Sequence, residues 1–330
     1  MTATRSPIPN EPAAPRMNWE TLMALLKFRS PAAPAAPAAN PAQLEAFLQG
    51  YSIEVMPRTA QKIEDFRDLL PQGTRVYIAH IDGTPFDEML ATARRLRAEG
   101  FTVMPHLPAR IIRDRATLDD RLRRYADLGI DQALLLAGGL DRPQGDFADS
   151  MQLLETGLLD KHGFTRLHVA GHPEGNRDID PDGSDRAVMQ ALEWKNAFAE
   201  RTGADMAIVT QFVFEADPVI AWTRRLKAEN IALPVHIGIA GPAKLQTMIR
   251  FAMMCGVGPS VRVLTRRARD VSKLMLPFEP TEILADLARH KAANPDFPIE
   301  QVHFFPLGGI SRTAGYTAQY LHSGRTAARA

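Results

Sequence analysis

From Tyr51 onward the chain alternates between two hydrophobic rhythms. Short, nearly unbroken apolar runs occur at YSIEV, RVYIAH, FTVMPH, DQALLLAG, RLHVAG, DMAIVTQF, LPVHIGI and QVHFFPL. Longer segments lie between them, with apolar residues recurring at i, i+3 and i+4. TPFDEMLATARRLRAEG and RATLDDRLRRYADLG are the clearest, each stopped by a glycine. GSDRAVMQALEWKNAFAERTG, DPVIAWTRRLKAEN, PAKLQTMIRFAMMCG and PTEILADLARHKAAN continue the scheme. Strands apolar on both faces, alternating with amphipathic helices, predict a parallel sheet covered by helices. Eight such runs predict a closed (β/α)8 TIM barrel. A doubly wound open sheet is the rival, but the first strand-to-helix turn, MPRTAQ, lacks the glycine-rich dinucleotide signature.

Residues 1–45 break the rhythm. RSPIPNEPAAPR and PAAPAAPAANPAQ are Pro/Ala-rich, a composition that favours extended chain over a packed core. Between them NWETLMALLKF has the spacing of one amphipathic helix. The expected organisation is a low-complexity extension over 1–45 and a catalytic barrel over 46–330. A long stretch between the seventh and eighth runs, PSVRVLTRRARDVSKLMLPFEP, predicts an extra helix and a loop on the rim.

Bulk properties narrow the function classes. The 330 residues carry a net charge of +1, which gives no electrostatic case for nucleic acid or an anionic membrane. No apolar run reaches the ~18–20 residues of a membrane helix. The single cysteine, Cys255, excludes an intrachain disulfide and suits a reducing cytoplasm. Its apolar setting, FAMMCGVG, reads as a buried thiol rather than a nucleophile. The sequence leaves a homo-oligomer open.

Active sites of such barrels form at the C-terminal ends of the strands. The predicted exits carry Glu54, His80, His106, Gly138 with Gly139, then His172, Glu174 and Asn176, then Gln211. Packing alone does not account for polar groups at so many exits. Glu54 stands inside an apolar run with no neighbour in sequence to neutralise it. Facing the mouth, apolar walls would favour its protonated form and make it a usable general acid. Pairing with Arg58 or a backbone NH is the plainer alternative. His80, His106 and His172 raise a metal reading, but no His-x-His occurs and no carboxylate set accompanies them, so no metal ligands are assigned. His168 and His236 lie mid-strand and read as barrel-lining groups with satisfied hydrogen bonds. The turns GIAGPAK and PLGGISR, with Lys244 and Arg312 nearby, leave a phosphate cradle open beside simple turn glycines.

Taken together, the exits resemble the methylenetetrahydrofolate reductase family, from about Tyr51 to Tyr320. IEVMPRT resembles the family's first strand and puts Glu54 on its catalytic acid. PHLPA, HPEGNR, VTQFVFE, IGIAG and VHFFPLG follow in the family's order. The resemblance implies a barrel holding FAD at its mouth, reduced by NADH or NADPH, with folate then bound in the same place. It implies hydride transfer to 5,10-methylenetetrahydrofolate giving 5-methyltetrahydrofolate, or the reverse in demethylation. Gln211 and Leu245 fall on folate-binding positions. His80, His106, Ala137, Gly138, Gly139, His172, Glu174, Asn176 and Lys195 fall on cofactor-binding positions.

The departures are concentrated around the flavin. The family's RGD after strand four is here Ala137, Gly138 and Gly139, with Asp141 two residues on. A family Thr becomes His80, a Tyr becomes His172, and a His becomes Asn176. Two other readings therefore stay open. One is a folate-binding one-carbon barrel without flavin, working by direct hydride transfer or methyl transfer. The other is a metal-dependent hydrolase.

Overall fold

The computed structural model describes residues 40–254, 264 and 277–321. Eight parallel strands close into a barrel in chain order, and the eighth pairs with the first through Ser52–His303 and Ile53–Phe304. They are β1 Ser52–Val55, β2 Arg75–Ile78, β3 Thr102–Pro108, β4 Gln132–Leu136, β5 Arg166–Gly171, β6 Asp205–Thr210, β7 Val235–Ala240 and β8 Ile299–Phe305. Each predicted apolar run holds one strand. The expected helix near Asn18, Cys255 and most of the rim segment over 259–280 lie outside the described residues.

A helix α1, Pro41–Leu48, precedes β1 and runs through position 45. Asn40 caps it by accepting from the Ala42 N–H, and Pro41 needs no N–H at the first turn. Its Leu44 and Leu48 are buried in the main core. The short α2 is Pro57–Ala60 and α3 is Phe86–Ala98. Asp87 and Glu88 open α3 while Arg95 and Arg97 close it, which suits the helix dipole. In α4, Arg115–Ala126, the Asp114 carboxylate accepts the Thr117 N–H at 2.7 Å.

Two short helices, α5 Ser150–Glu155 and α6 Leu158–Lys161, follow β4, where the hydrophobic rhythm predicts nothing. Each spans fewer than two turns, too short to print a helical period. Then come α7 Arg186–Thr202, α8 Ala216–Ala228, α9 Leu245–Met254, α10 Thr281–Ala293 and α11 Ile310–Leu321.

The strands divide their side chains by parity. Ile53 and Val55, Val76 and Ile78, Val103, Leu135, Val169, Ile208, Ile237 and Phe304 face outward into the helix layer, the main core. The alternate positions face inward. That inner set is only partly apolar, with Tyr77, Met104, Leu134 and Val209 forming a small cluster. Barrel interiors are usually filled with branched aliphatics. This one instead buries Ser52, His168, His236 and His303, each at 1% exposure or less. A third cluster, with Phe212, Phe214, Leu245, Met248 and Phe278, packs over the rim beside β6 and β7.

Candidate active site at the barrel mouth

Strand parity decides where Glu54 points. Its neighbours Ile53 and Val55 belong to the outer core, so Glu54 faces the lumen, 18% exposed at the side chain. In β3 the same parity brings Met104 and His106 inward. His106 Nε2 lies 3.2 Å from Glu54 Oε2, and it makes no well-angled hydrogen bond there. Arg58, the alternative partner in sequence, is exposed. The acid thus has an imidazole beside it in the mouth, a pairing that the linear chain gave no way to see.

Across the barrel, His172 follows the last residue of β5, and the charge of Lys195 on α7 reaches it. Lys195 is 6% exposed. Burial pulls its ammonium down to about 8, with Asp149 opposing that shift. Burial, then the Lys195 charge, pulls His172 down to about 4. Neither side chain makes a hydrogen bond among the described residues. Asp149 is the anionic group whose charge reaches Lys195. Asp149, which caps α5 through the Met151 and Gln152 N–H groups, carried no sequence signal beyond its capping position.

The other predicted residues are placed less uniformly. His80 is buried, and its Nε2 lies 3.1 Å from the Thr84 carbonyl of its own loop. Burial pulls His80 down to about 4. Asn176 accepts the Asp178 N–H at 2.9 Å and so shapes the loop after β5. Glu174 is partly buried in the same loop. Gln211 is partly buried just past β6 in the inward phase, and its backbone N–H donates to Gly171. Leu245 is 5% exposed within the rim cluster.

At the β4 exit the Ala137 carbonyl accepts the Arg110 N–H. Gly138 follows with φ of +96°, and a Cβ there would lie 3.1 Å from the Pro108 Cβ. Only glycine adopts that backbone without strain, so the exit is kept narrow and free of side chains. The glycine turns after β7 and β8 have a packing explanation. A Cβ on Gly308 would meet the Pro242 carbonyl at 2.0 Å, and one on Gly241 would meet Thr313 Oγ1 at 2.3 Å. The two turns need glycine to approach each other.

Among the described residues no three His, Cys, Asp or Glu side chains group as a metal site. No helix there is long and apolar enough to cross a membrane. The residues present fit a flavin nucleotide in two respects. The Lys195 corner suits an anionic group, and Gly138 leaves a cradle that a Cβ would fill.

Fold and mouth together define a (β/α)8 barrel with a carboxylate–imidazole pair at its strand ends. The family model of methylenetetrahydrofolate reductase matches residues 56–268. That is more than half of the chain, and the protein belongs to this family. Membership places it among enzymes of folate-linked one-carbon chemistry. Glu54 and β8 lie outside the matched span, so their roles are argued from geometry.

Among solved structures, 7,8-dihydropteroate synthase from Vibrio fischeri is 9% identical, covering 85% of this chain and 94% of its own, with a TM-score of 0.41. Dihydropteroate synthase from Thermus thermophilus is 14% identical, with coverages of 82% and 92% and a TM-score of 0.40. The Yersinia pestis enzyme is 13% identical, with coverages of 83% and 93% and a TM-score of 0.42. These likenesses are too distant to bear on function.

Proposed function

We propose that the protein is an NAD(P)H-dependent reductase of 5,10-methylenetetrahydrofolate, yielding 5-methyltetrahydrofolate, or the same reaction run in reverse. The observation that carries this reading is the inward Glu54 carboxyl, held 3.2 Å from His106 in a family member's barrel mouth. The methylene bridge must open before its carbon can accept hydride. Opening requires a proton on the departing ring nitrogen, and Glu54 is the group to deliver it. General acid catalysis of this kind contributes ~10²–10⁴-fold.

His106 orients the carboxyl and offers a second proton-bearing atom next to it. Gln211 supports the reading as an amide at the β6 exit, able to hold a pterin edge by paired hydrogen bonds. Lys195 with His172 would hold the anionic part of a nucleotide cofactor, and Gly138 would admit its ring system. A bound flavin would supply hydride storage between nicotinamide and folate.

A second reading, hydride passed directly from the nicotinamide, is favoured by one observation. The β4 exit offers Ala137, Gly138 and Gly139 and no carboxylate in those places.

The test is an absorption spectrum with turnover. Purified protein supplied with FAD is expected to be yellow, to bleach with NADH or NADPH, and to regain colour with methylenetetrahydrofolate. Colourless protein that consumes NAD(P)H only when methylenetetrahydrofolate is added establishes direct transfer. No folate-dependent oxidation with either nicotinamide, in either direction, would overturn the reductase reading.

A further inference from the structure

The helix layer of the barrel is uneven. Between β2 and β3 the connection carries the 13 residues of α3, whereas between β1 and β2 it carries only the 4 residues of α2 and a 3-10 turn over Phe66–Asp68. A groove of about 370 Å³ opens beside that thin stretch, between the segment before β2 and α11. Leu69, Leu70 and Pro71 form one wall, and Ala314, Ala318 and Leu321 form the other. Tyr51 and Thr317 also line it, and the Thr317 hydroxyl bonds that of Tyr51 at 3.1 Å. Leu69, Ala318 and Leu321 stay partly exposed, so both walls turn apolar edges toward solvent. A second groove, of about 340 Å³, lies between α2 and α3, but its lining carries Asp87, Glu88 and Arg95. An apolar segment finds its match in the first groove and not in the second.

One apolar segment of the chain lies outside the described residues. Trp19, Leu22, Met23 and Leu26 recur at i, i+3, i+4 and i+7, while Glu20 and Lys27 fall off that face. An isolated helix shorter than ~12–15 residues is marginal in water, so this spacing acts only when its apolar face is covered. Residues 29–39 join the segment to α1 and reach about 34 Å when extended, the scale of a small domain. α1 in turn packs against α11, the helix that forms one wall of the groove. The extension therefore leaves the barrel on the groove's own helix, with a tether long enough to turn back into it.

We propose that residues 18–28 dock as a helix in the α11 groove of their own chain, setting Trp19, Leu22, Met23 and Leu26 against Leu69, Ala318 and Leu321. The docked helix supplies the cover that the β1–β2 connection lacks. Tyr51 lines the groove and directly precedes β1, so the segment also braces the strand that carries Glu54.

Amide hydrogen exchange of the full-length protein, read by mass spectrometry, tests the docking. In the wild type, amides 18–28 are expected to exchange roughly 10-fold or more slowly than in an unstructured chain. Ala318→Arg fills the groove with a long side chain. It should release 18–28 to the unstructured rate while the amides of β6 keep their protection. Leu22→Asp combined with Leu26→Asp alters the segment alone and leaves the barrel sequence intact. It should speed exchange over 67–72 and 314–321, and it decides the question if Ala318→Arg unfolds the barrel.

Unprotected amides 18–28 in the wild type overturn the docking. So does protection that survives Ala318→Arg in a folded barrel, or groove amides that ignore the segment variant. Protection of 18–28 that vanishes on dilution assigns the groove to a second copy of the chain. Release of 322–330 in place of 18–28 assigns it to the C-terminal tail. Either result overturns the proposal.

Discussion

His172 and His168 stand four residues apart along β5 and its exit, and burial holds both rings neutral. Deep in the barrel, His168 has both nitrogens engaged, one by Arg166 and one by Tyr77. At the mouth, neither His172 nor its charged neighbour Lys195 makes a side-chain hydrogen bond among the described residues, and Lys195 feels only the charge of Asp149. His303 is intermediate: its Nδ1 meets Ser52, while its Nε2, like that of His106 and like Nδ1 of His236, has no partner among the described residues. Burial with partners on both nitrogens fixes the His168 ring. Burial without partners is expensive, and it persists where a ligand or a reacting proton completes the set.

The contrast is broken most severely at the acid. Glu54→Gln should reduce folate turnover by ~10²–10⁴-fold, while unfolding by urea stays close to wild type and NAD(P)H oxidation by an artificial acceptor survives. Loss of both half-reactions together, or a large loss of stability, would mean that Glu54 belongs with the interior rather than the mouth.

Next in size is Lys195→Met. The folded-state value of about 8 lies below the ordinary lysine value of 10.5. Between those two, the unfolded chain holds a proton that the native state has released, so native stability rises with pH there. The charge penalty is therefore complete below about 8. Removing it should stabilise the protein at neutral pH by on the order of 2–3 kcal/mol. The gain should shrink as pH climbs toward the ordinary lysine value, and nucleotide affinity should fall. A gain that ignores pH would assign the cost to packing instead of charge.

His172→Asn probes the acid side of the same corner. The native ring takes up its proton only near 4, against 6.5 for an ordinary histidine. Between these values the unfolded state binds the extra proton, and wild-type stability falls as the solution is acidified. His80, pulled down to about 4, adds to that slope, as do the buried His168, His236 and His303. In the variant, the slope of unfolding free energy against pH should be shallower by about one proton. An unchanged slope would place the His172 ring in solvent.

The smallest effect is expected at the β4 exit. Gly138→Ala forces a side chain into the left-handed region with Pro108 close by. It should cost about 1–2 kcal/mol, read as a lower Tm, with a matching rise in KM for the cofactor. A stability loss with the KM unmoved would make Gly138 a turn residue only.

Much of the architecture was legible from periodicity. Unbroken apolar runs alternating with amphipathic helices specify strands covered on both sides, and eight of them in order close a barrel. Glu54, His106, His172 and Gln211 were visible as polar groups at strand exits, because exits are where such a barrel exposes chemistry. The short α5 and α6 were not legible, since too few turns exist to mark a period.

What the linear chain could not hold was who meets whom. Glu54 and His106 are 52 positions apart in the numbering, and only barrel closure with the right strand parity places them in contact. His303, Tyr77 and Ser52 read as ordinary members of apolar runs. Their inward alternation brings the Tyr77 hydroxyl within 2.6 Å of His168 Nδ1 and Ser52 Oγ within 3.0 Å of His303 Nδ1. Sequence sets the local period and the chemical inventory. Which buried groups meet, and whether a buried charge has a partner, are properties of long-range packing, and they exist only once the strands have closed.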